Sequence, residues 1–157
     1  MSGRSVNETR FSVRFSETDM AGVFHHSNLF TWFEVGRFAL IDELTRGGSL
    51  LELEGDTLFV PVTKTRVSFL GLGRFGDELR LETFLKPQAT TKLVFYYRLT
   101  QVRDGSPVAI GMTEHVVLRG NNRFLFRWPE STRHRMDSFF AEHPHAVTDG
   151  KEFDARL

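Results

Sequence analysis

The feature that most restricts the fold is a helical stretch with almost no polar face. From Asn28 to about Leu44 the chain carries Leu29, Phe30, Trp32, Phe33, Val35, Phe38, Ala39, Leu40, Ile41 and Leu44. The spacing is helical, and apolar side chains occupy most of the circumference. A helix of this kind has to be buried on several sides. Ser27 or Asn28 can cap its start, and Arg46 followed by Gly47 and Gly48 supplies a basic last turn and a stop.

The rest of the chain supplies the sheet. Phe11, Val13 and Phe15 alternate with Arg10, Ser12 and Arg14, the period of a half-buried strand, which places strand one at Arg10–Phe15. After a variable stretch around Ser49 to Asp56, four further segments read as strands: Leu58–Leu70, Glu78–Leu85, Lys92–Arg103 and Pro107–Arg119. Gly71, Gly73 and Gly76, then Pro87-Gln88, then Asp104-Gly105 separate them, and adjacent antiparallel pairing is the simple expectation. The order of one strand, one buried helix and a run of long strands is an α+β arrangement. One helix covers one face of a five-stranded sheet, so exposed edges and apolar surface predict a partner chain.

At 157 residues one domain is expected, with a core over about residues 10–140. A short helix opens at Pro129 and runs to Phe140. The tail, 141–157, is polar, holds Pro144 and Gly150, and is expected to be poorly ordered. Twenty basic residues balance twenty acidic ones, so no net field draws the chain to nucleic acid or an anionic membrane. With no cysteine, disulfides, thiolate metal sites and a cysteine nucleophile are excluded. No apolar run suggests a leader or membrane insertion, and the expected location is cytoplasmic. Sixteen phenylalanines against two tyrosines and two tryptophans imply a large interior free of polar tips, and read as core filling.

Chemistry concentrates in one loop. Phe15-Ser16-Glu17-Thr18-Asp19-Met20-Ala21-Gly22-Val23-Phe24-His25-His26-Ser27-Asn28 brings a carboxylate and two imidazoles to a helix start, where free backbone N–H groups and about half a positive charge are expected. Those groups suit attack on a carbonyl: the carboxylate activates water or attacks directly, and the helix end holds the oxyanion. Each also has a plain structural reading. Asp19 can cap a turn, Asn28 can cap the helix, Glu34 and Arg37 can form an intrahelical ion pair, and His115 reads as a satisfied core histidine. His25 and His26 lack a third metal ligand at suitable spacing, so no metal is expected.

At these residues the sequence resembles the hotdog thioesterase superfamily, in the branch that contains 4-hydroxybenzoyl-CoA thioesterase and the Tol–Pal-associated acyl-CoA thioesterases. The shared pattern is Glu17 with Asp19, Gly22-Val23, His26 with Asn28, and Glu34 with Arg37, with further likeness over Val67-Ser68-Phe69 to Gly76-Asp77-Glu78-Leu79 and at Thr113-x-His115. Leu29 and His25 depart from it, standing where many relatives have tyrosine and an aromatic residue.

The resemblance implies a hotdog fold, a long central helix wrapped by a five-stranded antiparallel sheet, and an acyl-CoA thioesterase. Asp19 would be nucleophile or general base and His26 a second catalytic group at the helix mouth. His25 and Asn28 would position the substrate, and Thr90, Thr91 and Lys92 would contact CoA. Coenzyme A enters as part of the substrate, and no other cofactor is implied. The site would lie between subunits of a homodimer, itself expected to pair as a dimer of dimers. Two rivals keep the fold: a non-catalytic acyl-CoA-binding module, and a hydratase or dehydratase.

Overall fold

The computed structural model describes residues 5–46, 52–53 and 56–157. The Gly47-Gly48 stop and most of the stretch Ser49–Asp56 lie outside the described residues. In chain order the elements are β1 (Glu8–Ser12), α1 (Asn28–Thr45), β2 (Glu52–Leu53), β3 (Asp56–Phe59), β4 (Val62–Phe69), β5 (Glu78–Leu85), β6 (Leu93–Gln101), β7 (Pro107–His115), β8 (Leu118–Arg119), α2 (Glu130–Glu142) and α3 (Lys151–Asp154). A five-stranded antiparallel sheet in the order β1-β5-β6-β7-β4 carries α1 on one face. No described helix is long and apolar enough to cross a membrane.

The sheet confirms the expected α+β layout and corrects its pairing. β5–β6 and β6–β7 are neighbours in sequence and in space, and the second turn closes on Gly105 at φ 71°. β4, however, pairs with β7 at the far edge, so the segment between β4 and β5 is a crossover and not a hairpin. Two strands also break where the sequence suggested continuity. Val60-Pro61 separates β3 from β4, since proline has no N–H to give a ladder, and residues 116–117 separate β7 from β8. At the N-terminus the strand ends at Ser12, and Phe15–Glu17 is a 3₁₀ turn that leaves Phe15 76% exposed against the Phe75 ring.

Helix and sheet meet closely. Trp32, Phe33, Leu40 and Leu44 pack with Leu79, Leu81, Phe95, Tyr97 and Leu99, and the Phe33 ring stacks on Tyr97 at 4.0 Å. Two glycines make the approach possible. A Cβ on Gly36 would come 2.4 Å from Thr83 Oγ1, and one on Gly111 would meet the Phe33 ring.

The opposite face of the sheet is covered too. The tail, expected to be loosely held, runs from a parallel bridge between Leu85 and Val147 into α3, and inserts Phe153 against Phe84, Tyr96, Val94, Ile110 and Met112. The Tyr96 hydroxyl donates to the Asp154 carboxylate at 3.1 Å, and the Arg98 guanidinium lies 5.3 Å from both the Phe84 and Phe153 rings. Burial, then the bond to Asp154, pushes the Tyr96 phenol up to about 12. Polar residues hide this docking in the sequence, because among the described residues of the tail it is Phe153 and Leu157 that supply the apolar contact. β6 is buried nearly throughout for this reason, with the helix on one face and the tail on the other.

Candidate active site

The loop between β1 and α1 folds as a small hairpin with Asp19 at its tip. Thr18 bridges Phe24, the Asp19 N–H donates to Val23 O at 2.9 Å, and Gly22 turns back to Asp19 O at φ 77°. The hairpin rests on the β4–β5 crossover through the Val23–Arg74 bridge and the Phe24 N–H to Gly73 O bond at 2.8 Å. Gly73 is needed there, because a Cβ would press into the Phe24 ring at 2.9 Å.

Asp19 is exposed, and one carboxylate oxygen accepts from Ala21 N–H at 2.8 Å. Its other oxygen has no partner among the described residues. The turn-capping reading of Asp19 is therefore satisfied by half of the carboxylate, and the remaining oxygen is open to solvent. His25 and His26 follow with their rings 4.2 Å apart. His25 Nδ1 accepts from Ser27 N–H at 3.2 Å and meets Ser27 Oγ at 2.7 Å, which puts the proton of the neutral ring on Nε2. His26 is exposed, and its ring nitrogens have no hydrogen-bond partner among the described residues.

The helix start differs from the expected row of free donors. Ser27 is the N-cap residue, in helical conformation and without a side-chain cap. Its N–H goes to His25 Nδ1, Asn28 N–H goes to His25 O at 3.0 Å, and Leu29 N–H goes to His26 O at 3.1 Å. The positive end of α1 remains, but three of its first four amides are engaged locally. Asn28 acts through its side chain: Nδ2 donates to Glu17 O at 2.9 Å and to His25 O at 3.1 Å, fixing the loop to the helix.

Further along α1 the anticipated Glu34–Arg37 pair is not formed. Glu34 is exposed, and Arg37 instead reaches inward to the Tyr97 hydroxyl at 3.3 Å. His115 is a core residue, 1% exposed, between Thr113 Oγ1 at 2.9 Å and Val60 O at 3.3 Å. Among the described residues no group of three or more His, Cys, Asp or Glu side chains could hold a metal ion.

Thr90, Thr91 and Lys92 lie elsewhere. They sit in the β5–β6 loop, at the end of the sheet away from Asp19, so the length of β5, roughly 25 Å, separates the two groups within one protomer. Lys92 Nζ pairs with Glu114 at 2.8 Å, and Thr91 Oγ1 donates to Leu125 O at 2.5 Å. Thr90 and Thr91 line a groove of about 650 Å³ with Gln88, Arg127, Trp128 and Arg133. The Trp128 indole N–H is buried with no partner among the described residues. Sequence reasoning missed Arg127 and Trp128, which line the groove from the segment before α2, and Arg133, which lines it from α2 itself.

Residues 13–136 match the thioesterase-like superfamily. A 1,4-dihydroxy-2-naphthoyl-CoA hydrolase of Synechococcus sp. (strain RCC307) is 31% identical over 131 residues, covering 77% of this chain and 93% of that one. The crystal structure of the hypothetical protein TT1821 from Thermus thermophilus superposes with a TM-score of 0.73 at 29% identity, over 84% of this chain and 98% of that one. The Staphylococcus aureus protein SAV2348, solved in complex with CoA, has the same fold, with a TM-score of 0.76 at 16% identity over 88% of this chain and 85% of that one. With the hotdog architecture in place and the match running through most of its length, the chain belongs to the thioesterase-like superfamily.

Proposed function

We propose that the protein hydrolyses an acyl-CoA thioester to the free acid and CoA, with Asp19 as the base. The observation that carries this reading is the placement of Asp19: a carboxylate with one oxygen tied down by Ala21 N–H and the other open, on a hairpin pinned to the start of α1. Asp19 takes a proton from water as the water oxygen bonds to the thioester carbon. The developing oxyanion faces His26 and the positive end of α1. Collapse breaks the C–S bond, and the proton on Asp19 passes to the departing thiolate. The hydrolase among the relatives and the CoA-bound relative support a CoA thioester as substrate, and the Glu17–Asp19, His26–Asn28 pattern supports the branch that includes 4-hydroxybenzoyl-CoA thioesterase.

We place the working site in a homodimer. Among the described residues β4 has no partner on its outer edge, and Val62 and Phe69 on it, with Phe30, Val35 and Phe38 on α1, are exposed apolar residues. Antiparallel pairing of two β4 edges about a two-fold axis reverses the partner's sheet, which brings the partner's Thr90–Lys92 end to the same side as Asp19. The groove beside Thr90 and Thr91, with Arg127 and Arg133, offers the cations that CoA phosphates require.

A thiol-release assay over a panel of acyl-CoAs tests the reading. Turnover is expected, and Asp19→Asn should lower it by at least ~10²-fold with CoA affinity retained. Tight binding with the thioester left intact would make the protein a sensor, and an Asp19→Asn variant within a few-fold of the parent would remove Asp19 from the chemistry.

A further inference from the structure

Glu17 is the most heavily used residue of the Asp19 loop. One carboxylate oxygen accepts from the Trp32 indole N–H at 2.6 Å, and the other accepts from Arg14 N–H at 2.9 Å. Its backbone carbonyl accepts from His25 N–H at 2.8 Å and from Asn28 Nδ2 at 2.9 Å. Four bonds thus converge on a residue two positions before Asp19, and they tie the strand side of the loop, the histidine side and α1 to one another. The Glu17 side chain is only 14% exposed, and the Arg14 guanidinium lies 3.7 Å away, open to solvent.

Trp32 gives the clamp a rigid anchor. It is 5% exposed and held between Phe11 and Phe24, with ring centroids at 4.9 and 5.0 Å. Its indole N–H points at the loop from the second turn of α1. A buried indole N–H needs an acceptor, and a phenylalanine at this position would fill the same space with no donor to offer. The Glu17–Trp32 bond therefore ties the loop that carries Asp19 to the first turns of α1.

We propose that Glu17, held by Trp32, is a positioning residue for Asp19: it sets where the reactive carboxylate stands relative to the mouth of α1 and touches neither substrate nor water itself. The proposal rests on the reading of Asp19 as the base. Small misplacements of a reactive group are costly, on the order of 10- to 100-fold in rate, and Glu17 lies where a small shift reaches Asp19 directly.

The test is steady-state kinetics and thermal melting on Glu17→Gln, Trp32→Phe, their double variant, and each in an Asp19→Asn background, with acyl-CoA as substrate. Glu17→Gln keeps size but can accept only one of the two N–H groups; Trp32→Phe removes the donor and keeps the ring. Both singles should lose kcat by on the order of 10-fold or more with KM within about twofold. The double should be no worse than either single, and neither change should lower kcat further once Asp19 is asparagine. Unchanged kcat per folded protein, with only a lower melting temperature, would show a purely structural bond and overturn the proposal. If Asp19→Asn abolishes turnover while Glu17→Gln and Trp32→Phe are normal, the positioning role alone fails; if Asp19→Asn remains active, the reading of Asp19 as the base fails with it. Should Glu17→Gln not fold, Trp32→Phe decides.

Discussion

The Tyr97 hydroxyl stands 2.7 Å from Thr113 Oγ1 in the sealed space beneath α1, and the direction of that hydrogen bond is fixed from both ends. Val60 O can only accept, so His115 carries its proton on Nδ1 and its Nε2 accepts from Thr113. Arg37 can only donate, so it gives to Tyr97, Tyr97 gives to Thr113, and Thr113 gives to His115. The chain of four side chains works only with a neutral imidazole. Burial first, and the Arg37 charge second, hold His115 down at about 4.

That shift makes the fold acid-sensitive. An unfolded histidine titrates near 6.5, so between pH 6.5 and about 4 the unfolded chain binds a proton that the folded one refuses. Stability from this group is complete above pH 6.5, falls with pH, and levels off below about 4. The total loss is roughly 3 kcal/mol. Urea unfolding from pH 7.5 to 4.5 on the parent and His115→Gln should show a stability difference that shrinks with acidification. A constant difference across the range would refute the neutral-chain account.

Gly36 sets how close α1 can come to β5. Alanine favours a helix over glycine by up to about 1 kcal/mol, but the new methyl would stand 2.4 Å from Thr83 Oγ1 and 2.7 Å from Leu81 Cδ2, both on buried side chains. Overpacking of this kind costs roughly 1–3 kcal/mol. Gly36→Ala should therefore destabilise in chemical denaturation, against its helix propensity. A stabilised variant would mean that helix and sheet are less tightly packed than the distances require.

Local pattern carried much of this fold into view before any coordinates. The apolar spacing of Asn28–Leu44 announced the long helix, although within one protomer only one of its faces is buried and Phe30, Val35 and Phe38 stay exposed, and Asp104-Gly105 announced the β6–β7 hairpin. What stayed hidden depends on long-range contacts. Nothing in Gly71–Gly76 says that β4 travels to the far edge, and nothing in Val147–Leu157 says that Phe153 finds Tyr96. Asp19, His25, His26 and Asn28 could be grouped as candidates from the sequence because they fall within one short loop and the helix start that follows it. The Glu17–Trp32 bond joins residues fifteen apart whose roles the sequence leaves separate, and the distance between Asp19 and Thr90 follows only from strand register.

The docked tail leads to a prediction about assembly. With α3 in place, Phe84, Tyr96, Ile110 and Met112 are covered, so pairing of dimers through the outer sheet face is expected only once the tail is released. Phe153→Asp would place a charge at a 4% exposed position and release α3. The parent should sediment as a dimer, and the variant should form larger species while Asp19-dependent turnover per folded chain persists. Because the chain lacks cysteine, Met112→Cys gives a direct reporter: its thiol should resist labelling in the parent background and react once Phe153 is replaced. Equal reactivity in both would show that the tail does not cover this face.

If Asp19 of one subunit works with the Thr90–Arg133 groove of its partner, the two halves of the site can be damaged on different chains. Arg127→Gln with Arg133→Gln should raise KM for acyl-CoA by roughly tenfold, the equivalent of about 1.4 kcal/mol of lost phosphate contact. The same pair should leave hydrolysis of a short N-acetylcysteamine thioester unchanged, since that substrate has no phosphates to hold. Asp19→Asn chains should be inactive toward both. Mixing equal amounts of the two variants through unfolding and refolding makes about half of the dimers mixed, and each mixed dimer rebuilds one intact site and doubles the damage in the other. About a quarter of parental activity should return at low acyl-CoA concentration. Had Asp19 and the groove of the same chain served one site, no intact site would form in any mixture, and activity would stay at the average of the two variants.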